Sequence, residues 1–298
     1  METGYLCSVK VSGFTFIRNA LEFDYPVVEA IQSILPICDE VVVAVGNSKD
    51  ATLELIRAIP SDKIRILETV WDDALREGGR VLAVETDKAF AAIDPNSDWA
   101  FYIQGDEVVH EKDLPAIQQA MQEYLHQEAV DGLLFAYRHF YGSYDYEAVS
   151  SNFYKNEIRI IRNNKTIYSY RDAQGFRKNE NEKLQVKRVD ATMFHYGWVR
   201  DPRAMQRKQE SFQKLWHDDE WVKNNVIPAE FFDYNRHIRE LKKFEGTHPE
   251  SMLDRIARSN WVYDTDIAFR RRSLKDHFKN QVFKLTGIDI NYKNYKLI

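Results

Sequence analysis

Cysteine is scarce: the 298-residue chain has two, Cys7 and Cys38. Each sits in apolar context, and the pair lacks the spacing of a metal knuckle or a disulfide framework. Both read as buried free thiols, which suits a reducing compartment. Long apolar runs are also missing. No segment approaches the roughly 18 apolar residues of a membrane span, and the opening METGYLCSVKVSG lacks a basic stretch followed by an apolar core. The expectation is a cytoplasmic chain, neither exported by that route nor integral to a membrane. Glycine (12 residues) and proline (8) are few. No low-complexity linker or internal repeat interrupts the sequence, so disorder is expected only at the ends.

An excess of positive charge is absent too, since the net charge is -5, which argues against general nucleic-acid binding. The distribution is uneven. From Ala268 to Ile298 eight Lys/Arg stand against two Asp, a local +6 that leaves -11 for the rest. In FRRRSLKDHFKNQVFKL, Phe278, Val282 and Leu285 recur at helical spacing among Arg270, Arg271, Arg272, Lys275, Lys279 and Lys284. Such a stretch either lies peripherally on the anionic inner face of a membrane or packs on the main domain with its cations in water.

With 44% hydrophobic residues in 298, the chain suits one large domain plus an extension. The first half alternates strand-like and helix-like segments. YLCSVKVSG is followed by YPVVEAIQSIL, where Pro26 can open a helix. DEVVVAVG is a continuous apolar run of the kind buried in a parallel sheet. In NSKDATLELIRAI, Ser48 or Asp50 can cap a helix. KIRILETV, a helix from about Arg80 to Ile93, and DWAFYIQGDE complete a β-α-β-α-β-α-β order. That order predicts an α/β fold, a mostly parallel central sheet with helices on both faces. After the helix DLPAIQQAMQEYL come the strands DGLLFAYRHFYG and NEIRIIRNN and a polar loop, YRDAQGFRKNENEKL. The domain division expected is 1–200 for the main domain and 201–298 for a helical C-terminal extension.

Ligands of such sheets bind beyond the carboxyl ends of strands. There WAFY runs into Gln104-Gly105-Asp106-Glu107. Carboxylates at that edge either hold a divalent cation that neutralises a diphosphate or cap the helix at 114. Arg80, opening a helix, either faces a phosphate or is a solvated surface residue, and Lys88 two turns on has the same two readings. The cluster His217, Asp218, Asp219 reads as a mixed-charge surface and is assigned no role.

FIRNALEFDYPVVEAIQSILPICDEVVVAVGNSKDATLELI, the later DWAFYIQGDEVVHE and the spacing between them resemble family-two glycosyltransferases of the GT-A fold. The resemblance covers roughly residues 5 to 115 closely and continues more loosely to about 200. It implies a Rossmann-like domain, a nucleotide-sugar donor and a divalent cation, Mn2+ or Mg2+. In the family's Asp-x-Asp motif the second aspartate is the metal and diphosphate ligand, a role that carries over to Asp106. Gln104 replaces the first aspartate and can only hydrogen-bond. Val45 stands where the family often has an aspartate, and Ala20 where it often has an acidic residue, which leaves base recognition to Asp50 or to backbone groups. The donor-binding set is then Arg18, Asn19, Asp50, Arg80, Gln104, Asp106 and Glu107.

Two further residues join them. His195, in DATMFHYGWVR, either completes the metal site with Asp106, as a histidine from this region does in relatives, or is hydrogen-bonded within an aromatic core. Asp172, in SYRDAQGFR, lies about where similar enzymes place the base that takes the acceptor proton in an inverting transfer; the other reading is a loop carboxylate paired with Arg171 or Arg177. Acceptors of such enzymes are commonly cell-surface glycans or lipid-linked sugars. Two rival readings are a sugar nucleotidyltransferase, which would want a glycine-rich basic loop after the first strand, and a non-catalytic sugar-nucleotide or glycan-binding protein that has kept the fold.

Overall fold

The computed structural model describes residues 9–75, 77–150, 152–226, 229–267, 281, 285 and 293–298. Four strands form the parallel part of the sheet: β1 (Val11–Ile17), β2 (Glu40–Gly46), β3 (Ile64–Thr69) and β4 (Trp99–Tyr102), in the order β3-β2-β1-β4. The apolar runs of β1, β2 and β4 are buried on both faces because both are covered, while β3, at the end of the strand order, is half-buried. Val41, Val43 and Val45 pack with Val27, Ile31 and Ile34 of α1 (Val27–Ile34), Ile56 of α2 (Thr52–Arg57), and Ile117 and Met121 of α4 (Leu114–Glu123). Val42 and Ala44 face the other way, onto Val81, Leu82 and Phe90 of α3 (Arg80–Ala91). Period-two alternation thus feeds two cores from one strand. Asp50 supports the start of α2 by accepting from the Thr52 amide at 3.0 Å.

The antiparallel part is built from β5 (Glu107–Val109), β6 (Gly132–Tyr141), β7 (Ser143–Ala148), β8 (Asn156–Arg162) and the long β12 (Gln185–Trp198). β8 joins the two parts, pairing antiparallel with both β4 and β6. β12 runs parallel to β6 and antiparallel to β5. The stretch expected as a polar loop instead folds into a small meander, β9 (Ile167–Tyr170), β10 (Gly175–Lys178) and β11 (Glu182–Lys183). Left-handed turn residues Asn179 and Asn181 (φ 50° and 72°) allow its last hairpin.

Beyond residue 201 the chain contributes α5 (Pro202–Gln213), α6 (Asp219–Asn225), α7 (Tyr234–His237) and α8 (Leu253–Ala257). The expected extension is not helical throughout. β13 (Leu241–Lys243) pairs with β7, and β14 (Lys296–Leu297) pairs with β12, so this segment is tied into the main sheet. Among the described residues no helix is long and apolar enough to cross a membrane. Phe278, Val282 and the tail cations Arg270 to Lys284 lie outside the described residues, as does Cys7, and Cys38 is a buried free thiol.

Candidate functional site

The carboxyl ends of β1 and β4 open onto a cavity of about 730 Å³, within the usual size of a small-molecule site. Arg18, Asn19, Gln104, Asp106, Asp172 and His195 all line it. Arg18, Asn19, Gln104 and Asp106 meet there because the parallel strands β1 and β4 present their carboxyl ends on one edge, while Asp172 arrives from the turn after β9 and His195 from within β12.

Asp106 follows β4 in a tight turn and keeps 11% of its side chain exposed. Its Oδ2 lies 3.4 Å from both Arg200 Nη2 and Lys208 Nζ, and its Oδ1 lies 3.8 Å from His195 Nε2. Burial pushes the Asp106 carboxyl up, but Lys208, with His195 and Arg200, outweighs it and holds the group well below the usual carboxylate range. Burial takes His195 down to about 4, so at neutral pH its imidazole is uncharged and the attraction comes from Arg200, joined by Lys208 when that is protonated. Burial, and then Arg200, lower the Lys208 ammonium to about 7.

Gly197 makes the His195 contact sterically feasible. A Cβ at that position would come within 2.5 Å of His195 Nε2 and 3.0 Å of Asp106 Oδ2. The divalent cation implied by the resemblance fits this pair. A carboxylate oxygen and a neutral imidazole nitrogen are both ligands for Mn2+ or Mg2+. Among the described residues no group of three His, Cys, Asp or Glu could hold a metal. Phosphate oxygens and water would have to fill the other positions.

Asp172 is presented by a strained turn. Its neighbours Arg171 and Ala173 both have left-handed backbone (φ 58° and 63°), which costs non-glycine residues of order 1–3 kcal/mol each. Two contacts hold the turn: Gln104 Nε2 donates to the Ala173 carbonyl at 3.1 Å, and Arg159 Nη1 to that of Gln174 at 3.1 Å. Gly79 packs against it, since a Cβ there would lie 2.9 Å from Asp172 Cβ and 3.0 Å from Trp216 Cζ2. Burial raises the Asp172 carboxyl above its usual value. Arg177 is turned away, donating to Asn181 Oδ1 at 3.2 Å and the Asn294 carbonyl at 2.7 Å.

Three of the expected donor-binding residues stand elsewhere. Glu107 is fully buried, its carboxylate gripped by Arg159 at 2.8 and 2.7 Å and by the Tyr137 hydroxyl at 2.7 Å. It faces the core because β5 begins there and pairs with β12. Arg80 is exposed and outside the cavity lining. Asp50 spends its oxygens on the Thr52 amide, the Thr52 hydroxyl and the Glu22 amide (2.7 Å), bracing two loops. Arg18 lines the cavity with its Nη1 paired to Asp73 at 2.7 Å and its guanidinium over Trp71. Asn19, left-handed at φ 54°, accepts from the Lys49 amide at 2.8 Å and so locks the β1 and β2 loops together.

Lys208, Arg200, Arg159 and His139 belong to this site and were not singled out from the sequence. Arg200 had one local signal, its place five residues after His195 in HYGWVR. Lys208 had none, being one cation among several on α5.

No family model and no curated protein matches the chain. Solved structures that overlap with it include TarS from S. aureus in complex with UDP, 15% identical, covering 74% of this chain and 68% of that one at a TM-score of 0.40. Another is 4-diphosphocytidyl-2C-methyl-D-erythritol synthase from Anaerococcus prevotii, 13% identical over 52% of this chain and 72% of that one, TM-score 0.34. A third is glucosyl-3-phosphoglycerate synthase from Mycobacterium tuberculosis in complex with Mn2+, UDP and phosphoglyceric acid, 20% identical over 45% and 43%, TM-score 0.29. The overlaps are partial and carry no assignment of activity to this chain.

Proposed function

We propose that the protein is a GT-A glycosyltransferase that moves a sugar, with inversion, from a nucleotide-diphosphate donor to a hydroxyl of a glycan or lipid-linked acceptor. One observation carries this reading: a single cavity is lined both by the Asp106, His195 and Lys208 cluster and by the desolvated carboxyl of Asp172. The first suits a leaving diphosphate and the second suits a base.

A divalent cation held by Asp106 and His195 would neutralise charge that builds on the leaving diphosphate. Lys208, reaching the same cavity, donates its ammonium hydrogens to the phosphate oxygens, and the buried Arg200 keeps Asp106 ionised. Arg18 and Asn19, at the end of β1, border the donor. Asp172 accepts the acceptor's hydroxyl proton as the anomeric carbon is attacked, its raised basicity suiting that task. Trp198 and Trp216, also in the lining, offer apolar faces to sugar rings and keep water out. In this reading residues 1–200 form the transferase domain, and the segment from 201 shapes the acceptor side and supplies Lys208. A nucleotidyltransferase is less well supported, because the loop after β1 offers one cation, Arg18, already paired with Asp73.

The test is a panel of nucleotide-diphosphate sugars incubated with the protein and manganese, with donor cleavage followed. Base-selective turnover that chelator removes and Asp106→Asn abolishes supports the reading. Base-selective binding without any turnover would make this a binding protein instead.

A further inference from the structure

Parallel pairing of β6 and β12 places His139 directly beside His195 in register. The two rings meet through their Nδ1 atoms at 3.0 Å. Two imidazole nitrogens at that distance share one proton, so one ring donates and the other accepts. The other nitrogen of His139 decides which. His139 Nε2 lies 2.7 Å from the Tyr154 carbonyl oxygen, which can only accept, so Nε2 carries the proton. His139 is 3% exposed and enclosed by the rings of Tyr137, Phe153 and Tyr154. Burial in such a cage favours the neutral ring, whose Nδ1 is then a bare acceptor. His195 must therefore donate from its own Nδ1, which leaves its Nε2 unprotonated.

That bare nitrogen faces Asp106 Oδ1 at 3.8 Å. Two electron-rich atoms thus lie close together with no proton of their own between them, an arrangement that a cation placed with both would stabilise; Arg200 and Lys208 meet the other carboxylate oxygen, Oδ2. We propose that His139 is a positioning residue that fixes His195 in the Nδ1–H tautomer and so presents Nε2 as a ligand to a divalent cation beside Asp106. This rests on the reading of Asp106 and His195 as the metal site. Outer partners of metal-bound histidines act in this way in general, and losing one weakens metal affinity by roughly 10–100-fold.

The experiment has two readouts besides activity. Imidazole 15N NMR of the metal-free protein reports the tautomer of His195, and titration with manganese alone reports affinity in the wild type, His139→Phe, His139→Asn and Asp106→Asn. The expected result is the Nδ1–H tautomer in the wild type, a mixture containing Nε2–H in His139→Phe, and manganese affinity lower there by roughly 10–100-fold. His139→Asn, whose amide oxygen can accept where Nδ1 did, should recover much of that loss. An Nε2–H tautomer in the wild type overturns the proposal, as does manganese binding that Asp106→Asn removes and His139→Phe leaves intact. Failure of the wild type to bind manganese at all overturns the metal site itself and the proposal with it. Should His139→Phe not fold, the wild-type tautomer and His139→Asn decide.

Discussion

Arg159 holds Glu107 through two hydrogen bonds, Nε to Oε2 at 2.8 Å and Nη2 to Oε1 at 2.7 Å, with both side chains fully buried. The pair stands directly behind the cavity, since Glu107 Oε2 also accepts from the Gln104 amide at 3.1 Å and Arg159 also braces the Asp172 turn. Glu107→Gln should leave the Arg159 charge buried without its partner and lower unfolding free energy by roughly 3–5 kcal/mol. Urea denaturation measures it. Asp106→Asn, which takes the carboxylate from the buried Arg200 and from Lys208, should also lose stability, but less than Glu107→Gln, because those contacts are longer at 3.4 Å and Asp106 keeps 11% of its side chain exposed.

Asp172→Asn should leave nucleotide affinity within about threefold and lower kcat by roughly 10²–10⁴-fold. The base works only when ionised, and burial raises its pKa above the ordinary value of 3.8. The wild-type rate should therefore rise with pH through a midpoint displaced upward from that value, and the residual activity of the variant should lack this limb. An unchanged acidic limb in the variant would move the base to another residue.

Lys208→Met should lower kcat/KM by on the order of 10²-fold, the usual loss when one donor to a developing anion is removed. Nucleoside affinity, as distinct from nucleoside-diphosphate affinity, should not change. Equal weakening of both ligands would mean that Lys208 acts on cavity shape and not on the phosphates.

Gly197→Ala places a methyl 2.5 Å from His195 Nε2 and 3.0 Å from Asp106 Oδ2. The imidazole must swing away, so manganese binding should weaken at least tenfold, on the scale expected when a ligand loses its orientation. Isothermal titration of metal into both proteins gives the comparison. Preserved affinity would place the metal elsewhere.

Glu157, which accepts from Gln174 Nε2 at 3.1 Å behind the Asp172 turn, offers a stability test. Burial raises its carboxyl from 4.5 to about 7. A raised folded-state pKa means stability that is complete below 4.5 and lost as pH rises through about 7. Glu157→Gln, which keeps the shape and cannot ionise, should gain on the wild type across that interval, by about 2–3 kcal/mol at pH 8. Melting temperatures that stay parallel from pH 4 to pH 8 would show that Glu157 ionises normally.

Much of the site's frame was legible beforehand. The apolar run of β2 and the WAFY run of β4 announce buried strands, and the Gln104-Gly105-Asp106 break after β4 announces a strand end where ligands gather. Asp106 and His195 could be nominated from residue type and local context, and the structure puts them in contact. Glu107 could not be separated from Asp106 in this way. The choice between cavity and core falls at the start of β5, and the pairing of Glu107 with Arg159 spans 52 residues.

Local periodicity and turn chemistry, which act over a few residues, determined from the sequence alone the alternation of strands and helices, the edge carrying Asp106, and the α/β class. The tertiary structure decided what touches Asp106. Lys208 reaches it across 102 residues and Arg200 across 94, while His139 meets His195 across 56 through the register of two parallel strands. Such contacts depend on how long crossovers close and how side chains pack once they have closed. A cation on an amphipathic helix or a histidine in an aromatic strand carries no mark of its partner until the sheet is assembled.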